Sequence, residues 1–378
     1  MAPDTLRGGK ESMLVTNAWY VAAWADEVSL KPLARRICNE PVVLYRTLDG
    51  KAAALRDSCC HRGAPLSLGA VVDMGLRCNY HGVVFGSDGA CVHIPGQDMI
   101  PKKARVRSFP VVEQDQIVWI WMGEIAAADP GEIVGYPYHN DSANWPNKHD
   151  VMHVKANYLL LADNLMDATH LAFVHPASVG GAAPGVHFKA EMAVKTLERG
   201  IRIDRHMPNS PPPPTYNNCV AFPGYVDRWQ EFDFVAPSTV IQYSGAVEAG
   251  AGRGNKSCVR FDMRLFHALT PETDTTSFYF WSAANGHQTD DPRATDKIVR
   301  EITCALVEDK AMVEAQQMRL SELGEDWLVD NRSDAPRVAM RRAVERMAKR
   351  STTKSAPSPE QSQLSMPHTS DSQRGANG

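Results

Sequence analysis

The chain has 378 residues, 43% hydrophobic and 22% charged, with a formal net charge of −4. That is ordinary globular composition, long enough for two or three domains and a sizeable core. The mildly acidic charge and the lack of a basic stripe with interleaved aromatics argue against nucleic acid as a partner. No apolar run approaches the ~20 residues that span a bilayer, and the N-terminus lacks a secretory apolar segment, so the expected location is the cytoplasm.

In chain order, residues 1–12 read as a flexible leader. Residues 13–125 are short β-rich runs cut by turns, such as "PVVLYR"–"LDG"–"AAALRD" and "GVVF"–"SDG"–"ACVHI", which predicts a small antiparallel β domain. The chain carries eight cysteines. In a reducing compartment they are not expected to form structural disulfides, and the lone ones are expected to be buried packing thiols. Two stretches stand apart: "DSCCHRG" at 57–63 and "CNYHG" at 78–82. They supply Cys59-x-His61 and, sixteen residues on, Cys78-x-x-His81. Zinc bound by two thiolates and two imidazoles is one reading. In zinc fingers, however, the cysteines pair locally and the histidines pair locally. Here each loop offers one of each, which suits a two-metal cluster of the Rieske [2Fe–2S] type, with two Cys on one iron and two His on the other. Gly63 and Gly82 stand where backbone must turn tightly around such a cluster. Alternate residues bind in a Cys-x-His loop, so the Cys60 thiol is expected to point away.

Residues 126–146 are turn-rich and predict a crossing into a second domain, 126–350. "LLLADNLMDATHLAFVHP" predicts a helix ended by Pro176, with Asp163, Asp167 and His170 on one face. His170 and His175 are five apart, about 140° on an ideal helix, so the helix must distort or end. Polar groups in so apolar a segment need partners. Two His and a carboxylate from elsewhere would make a facial triad for non-haem Fe(II); a zinc-protease HExxH does not fit. "ASVGGAAPGVH" reads as a flexible loop, and strand-like runs fill residues 190–285. A long helix is expected over 291–323. On it the stripe Ile298, Ile302, Ala305, Asp309, Met312, Gln316 is interrupted by a carboxylate, Asp309. It is either a third metal ligand or half of a salt bridge to Arg300 or Lys310. The Ser-, Pro- and Gln-rich tail, 351–378, is expected to be disordered.

Together "NAWYVAAW", "CCHRGAPLSLG", "CNYHG", "VVEQDQIVWIWMG" and "DNLMDATHLAFVHP" resemble the terminal oxygenase subunits of the Rieske non-haem iron aromatic oxygenases. The resemblance runs from residue 14 to about 345 and is nearest the vanillate O-demethylase, toluenesulfonate methyl-monooxygenase and dicamba O-demethylase subgroup. It implies an α+β chain: an N-terminal Rieske antiparallel β domain and a C-terminal helix-grip catalytic domain of antiparallel sheet with helices. It implies cluster ligands Cys59, His61, Cys78 and His81, iron ligands His170, His175 and Asp309, a bridging Asp167 between neighbouring subunits, and Asn164 near the iron. It also implies a head-to-tail homotrimer, O₂ as co-substrate, and NAD(P)H electrons delivered by a separate flavin/ferredoxin-type reductase. Trp229, Gln242, His267 and Asn285 are candidate substrate contacts, with the His267 position implied to meet an acidic substrate group. Cys60 stands where much of the family has proline. The expected reaction is O-demethylation of a methoxy-benzoate with release of formaldehyde. The alternatives are methyl hydroxylation of an aryl sulfonate or toluate, or ring dioxygenation of a benzoate. A Rieske electron carrier needs only about 100 residues, and a second His/His/Asp site counts against it.

Overall fold

The structure is a computed structural model that describes residues 14–354, except residue 182 and the side chains of 351–354. The expected leader and the tail beyond 354 lie outside the described residues. The first part of the chain is built of β1 (Trp19–Trp24), β2 (Leu33–Ile37), β3 (Glu40–Arg46), β4 (Ala52–Arg56), β5 (Ala70–Val72), β6 (Gly75–Arg77), β7 (Val84–Phe85), β8 (Cys91–His93), β9 (Ser108–Phe109), β10 (Val111–Gln114) and β11 (Ile117–Trp121). They form three antiparallel sheets in the orders β2-β3-β4-β9, β5-β6-β7-β8 and β1-β11-β10. The β3–β4 hairpin turns at "LDG", where Gly50 takes φ +86°, a conformation that costs glycine little. Val43, Tyr45 and Leu55 from one small sheet pack against Leu76 and Phe85 of the other.

The second part continues with β12 (Asn147–Val154), α1 (Tyr158–Met166), α2 (Leu171–Val174), α3 (Pro184–Phe188), β13 (Glu191–Leu197), β14 (Gly200–Ser210), α4 (Pro214–Cys219), β15 (Val226–Val235), β16 (Thr239–Glu248), β17 (Arg260–Pro271), β18 (Ser277–Asn285), α5 (Pro292–Leu323) and α6 (Ala335–Lys354). Its seven strands make one antiparallel sheet, β12-β18-β17-β16-β15-β14-β13. Successive side chains of a strand face opposite ways, and both faces of the middle strands are used. The outer face presents Ile241, Phe266, Ala268 and Phe280 to Trp19, Trp24, Trp119 and Trp121 of the β1-β11-β10 layer. The inner face presents Met263, Leu265, Trp281 and Ala283 to α1 and to Ile298, Ile302 and Leu306 of α5. This double burial explains why β18 reads as a near-continuous apolar run. No helix among the described residues is long and apolar enough to cross a membrane.

The sequence expectations need four corrections. The helix expected to reach Pro176, distorting or ending only between His170 and His175, is already broken earlier: α1 ends at Met166, and Asp167 caps it in an extended conformation, φ −111°, ψ 97°. Asp163 therefore points elsewhere, accepting from Arg341 Nε at 2.8 Å. On α5 the buried stripe passes from Asp309 to Val313, while Met312 is 56% exposed and Gln316 is also exposed. A 3.6-residue period continues better at four than at three there. Of the lone cysteines only Cys91 is buried, and Cys304 is exposed. Lastly, the Gly/Ala-rich loop holds α3, pinned by buried His187, whose Nε2–H donates to the Gly180 carbonyl at 2.8 Å.

Burial pushes the His187 imidazole down to about 4, against about 6.5 in the unfolded chain. Between these values the unfolded chain takes up a proton that the folded chain refuses, so stability falls as pH drops from about 6.5 toward 4. Unfolding free energies from urea titrations at pH 7 and pH 5 are expected to differ by about 2 kcal/mol more in the parent chain than in His187→Gln.

Candidate metal centres

The two cysteine–histidine loops are copies of one backbone design. Cys59 N–H donates to the Ala64 carbonyl and Gly63 N–H to the Cys59 carbonyl, both at 2.8 Å. In the second loop Cys78 N–H donates to Val83 at 2.8 Å and Gly82 N–H to Cys78 at 2.9 Å. Both glycines sit at positive φ, +72° and +75°. Each loop emerges between short strands, the first from β4 toward β5 and the second between β6 and β7. The thiols of Cys59 and Cys78 are buried, 3% and 1% exposed, and lie side by side. His61 and His81 are exposed, with ring centroids 4.5 Å apart. Cys60 is exposed.

A single tetrahedral ion needs its ligand atoms around one point. Among the described residues no three of these four bring their ligand atoms within 4.8 Å of one another. Thiol beside thiol below and imidazole beside imidazole above is a two-centre donor set, which fits a [2Fe–2S] cluster and not one zinc. Burial, then Cys78 alongside, raises the Cys59 thiol to about 11, so a cation is needed to hold it as a thiolate.

The second centre gathers His170, His175 and Asp309, whose ligand atoms all lie within 4.8 Å of one another. His170 begins the four-residue α2 and His175 closes it with φ −122°, ψ 46°. That exit, together with the break at Asp167, lets residues five apart converge. Asp309 comes from α5 across the sheet's inner face. Its Oδ1 is 3.0 Å from His175 Nε2 and 3.4 Å from His170 Nε2, and it accepts from Asn164 Nδ2 at 2.9 Å. Neither Arg300 nor Lys310 pairs with it; Lys310 reaches Glu314 instead.

The outer nitrogens set the tautomers. His170 Nδ1–H donates to the Asp167 carbonyl, and His175 Nδ1–H donates to Glu308 Oε2 at 2.6 Å. Both Nε2 atoms then turn lone pairs toward a carboxylate, an arrangement that calls for a cation. His170 Nε2 is buried without a hydrogen-bond partner among the described residues. The donor set fits a two-His, one-carboxylate iron site with positions left open. Burial would raise the Asp309 carboxyl, but the two imidazoles outweigh it and hold it well below the usual carboxylate range. Burial would lower His175, but Asp309 and then Glu308 raise it above its ordinary value.

Glu308 was not singled out from the sequence. It stands next to Asp309 on the helix, and only the fold shows that it reaches His175. In Glu308→Gln, iron affinity is expected to fall about 10- to 100-fold, read by chelator competition, with the fold and the cluster spectrum unchanged.

The donors open on a cavity walled by Leu165, Phe232, Met263, Leu265, Ile302 and Leu306, with polar Gln230, Gln242 and His267. Tyr279 O–H donates to His267 Nδ1 at 2.8 Å, His267 Nε2–H to Gln242 Oε1 at 3.4 Å, and Gln242 Nε2 to Ser244 Oγ at 2.7 Å. Burial pushes His267 down to about 3, so it is neutral at pH 7. Trp229 and Asn285 do not line this cavity. Strand alternation puts Trp229 on the outer face, across Gly245 and under Arg253, 4.3 Å from its ring. Asn285 is wholly buried at the end of β18, bonded to Thr295 and the His287 N–H. Asp167 Oδ1 accepts from Thr169 N–H and Oγ1–H, at 2.8 and 2.6 Å, and no hydrogen bond within the described chain engages Oδ2.

Comparison with known proteins agrees with both centres. Residues 18–110 match the Rieske [2Fe–2S] domain, and residues 154–350 match the vanillate O-demethylase oxygenase C-terminal domain. The toluene-4-sulfonate monooxygenase system iron–sulfur subunit of Comamonas testosteroni is 38% identical over 349 residues, 91% of this chain and all of that one. The vanillate O-demethylase oxygenase subunit of a Pseudomonas species is 35% identical over 343 residues, covering 89% and 95%. The crystal structure of dicamba monooxygenase bound to dicamba superposes with a TM-score of 0.82 at 34% identity, covering 90% of this chain and 99% of that one. That enzyme has also been solved with non-heme iron and dicamba. Two donor sets in this order, on this fold, with relatives matched nearly end to end, make the chain a member of the Rieske non-haem iron oxygenases, the oxygenase component of a multicomponent system acting on aromatic substrates.

Proposed function

We propose that this oxygenase inserts one oxygen atom from O₂ into a methyl or methoxy group of an aromatic acid, using NAD(P)H electrons from a separate flavin/ferredoxin-type reductase. The observation that carries the reading is the convergence of His170, His175 and Asp309 at the wall of an apolar cavity with a few polar groups. Residues 13–125 would carry the cluster on Cys59, His61, Cys78 and His81, and residues 126–350 would carry the reaction. When bound, the cluster stores one electron and the iron activates O₂.

The chain's own residues prepare that chemistry. Glu308 and the Asp167 carbonyl fix the two imidazole tautomers, and Asn164 steadies the Asp309 carboxylate. Phe232, Leu265, Ile302 and Leu306 take the ring and exclude water, while the neutral Tyr279–His267–Gln242 chain orients the polar end. The exposed pair His61 and His81 suits an electron outlet on the surface. We assign the free oxygen of Asp167 to a bridge with a cluster histidine of the next subunit, in a cytoplasmic head-to-tail homotrimer.

O-demethylation of a methoxy-benzoate is the first reading, because the C-terminal domain matches that of vanillate O-demethylase. Methyl hydroxylation of an aryl sulfonate is the second, favoured by 38% identity along the whole toluene-4-sulfonate subunit. NADH-dependent oxygen uptake with a compatible reductase, over methoxy- and methyl-substituted aromatic acids, tests both. Formaldehyde accompanies demethylation, and a benzylic alcohol marks methyl hydroxylation. Oxygen uptake with none of these compounds would refute the proposal.

A further inference from the structure

A guanidinium taken out of water is costly unless it meets a carboxylate. On the outer face of the seven-stranded sheet that rule holds: Arg202 reaches Asp204, Glu231 and Asp233, and Arg264 reaches Asp262. On the inner face it fails twice. Arg205 on β14 and Arg228 on β15 are only 4% and 1% exposed, and neither forms an ion pair among the described residues, although Arg205 donates through Nη2 to the His187 carbonyl at 3.0 Å and feels the charge of Asp167 from beyond ion-pair distance. Nε and Nη2 of Arg228 are buried without any hydrogen-bond partner there. Its guanidinium lies over the Tyr216 ring, 5.2 Å from the centroid.

Both arginines back the wall of the cavity that holds the mononuclear centre. The pleat puts Arg228, Gln230 and Phe232 on one face of β15, and Arg205 is the cross-strand partner of Gln230. Gln230 and Tyr216 line the cavity, while no lysine or arginine does. Arg205 Nη1 donates to Gln230 Oε1 at 2.6 Å. That bond fixes the amide: its carbonyl is committed to the arginine, and its Nε2 hydrogens are left as donors for the cavity, where the chain offers them no acceptor. Charge from Arg205 strengthens those donors through the shared amide.

We propose that the Gln230 amide, polarised by Arg205, and the unpaired guanidinium of Arg228 behind Tyr216 form the subsite for the anionic head group of the substrate, a sulfonate or carboxylate. The methyl or methoxy end of the ring then lies toward His170, His175 and Asp309. This deepens the aromatic-acid reading above and rests on it. It also accounts for the buried Arg228 guanidinium, which has no carboxylate partner among the described residues: the substrate supplies the missing negative charge. His267, neutral and already bonded to Tyr279 and Gln242, orients the ligand without supplying charge.

Calorimetric binding to the cluster- and iron-loaded protein tests the subsite with 4-toluenesulfonate, 4-methoxybenzoate and the uncharged 4-toluenesulfonamide and 4-methoxybenzamide. The parent protein is expected to prefer at least one anion over its amide by roughly 10- to 100-fold. The anion that shows the preference names the head group. Arg228→Met and Arg205→Met are each expected to bring the ratio to about 3 or less, and Arg228→Lys to retain part of it. Should Arg228→Met fail to fold, Gln230→Leu, which removes only the amide, reads the same ratio. A purely structural role would weaken anion and amide alike, leaving the ratio intact. An unchanged ratio in the folded variants, or a parent protein that binds anion and amide equally or binds none of the four, overturns the proposal. Oxygen uptake is a separate measurement, so failure of the reaction reading and failure of the subsite are told apart.

Discussion

Replacement of Asp309 by alanine is expected to remove the mononuclear iron, leave the [2Fe–2S] cluster in place and cut turnover by about 10³-fold or more. Asp309 is 6% exposed and, among the described residues, is the one carboxylate facing both Nε2 atoms, at 3.0 and 3.4 Å. Without it only two imidazoles remain, a set too weak and too open to retain iron. The fold should tolerate the change. Alanine is the best helix former, so α5 persists, and Asn164 Nδ2 loses one acceptor at a cost of about 1 kcal/mol. Iron analysis should show the loss of the single iron with the cluster's visible bands unchanged and the melting temperature shifted by a few degrees at most. Retention of that iron, or turnover near the parent rate, would remove Asp309 from the ligand set.

Asp167→Asn is expected to keep both metal centres and lower turnover by about 100-fold or more. The substitution is nearly isosteric. The asparagine Oδ1 still accepts the two Thr169 bonds that Asp167 Oδ1 holds, and the backbone carbonyl that receives His170 Nδ1–H is untouched. What is lost is the charge and the accepting power of Oδ2, the oxygen proposed to reach the neighbouring subunit. The discriminating readout is the reoxidation of pre-reduced cluster by O₂ in the presence of substrate, which should slow in step with turnover while metal content and spectrum stay unchanged. Parent-like activity in this variant would refute the bridge between subunits.

Much of this was legible without coordinates because it depends on short-range patterns. The spacing of Cys59, His61, Cys78 and His81 is local, and the two loops proved to share one hydrogen-bonding scheme around glycines at positive φ. The long helix read from periodicity over 291–323 is α5, Pro292–Leu323, capped by Asp291. Asp309 drew notice as a carboxylate on an inward stripe, where burial demands a partner. Its partners, two histidines more than 130 residues earlier, were beyond what periodicity can name. The break after Met166 was missed because helical spacing still put Asp163, Asp167 and His170 on one face, and such spacing does not register a two-residue change of backbone direction. Trp229 and Gln242 looked alike as polar or aromatic residues in strands. Which face each takes depends on register: Trp229 pairs with Gly245 on the outer face, while Gln242 pairs with Phe232 on the inner.

By itself the sequence determined the spacing of Cys59, His61, Cys78 and His81, the nearby pair His170 and His175, the order of the β-rich and mixed parts, and the α5 helix, since all follow from local spacing and from periodicity within a single element; for Asp309 it left two readings open. Tertiary structure alone decided what stands behind those donors. Glu308 turns His175, and the Asp167 carbonyl turns His170. Arg205 and Arg228 share an inner sheet face, and among the described residues neither forms an ion pair there. These are relations between residues far apart in the chain, and the energy of a buried charge is set by its surroundings in space, which no local pattern encodes.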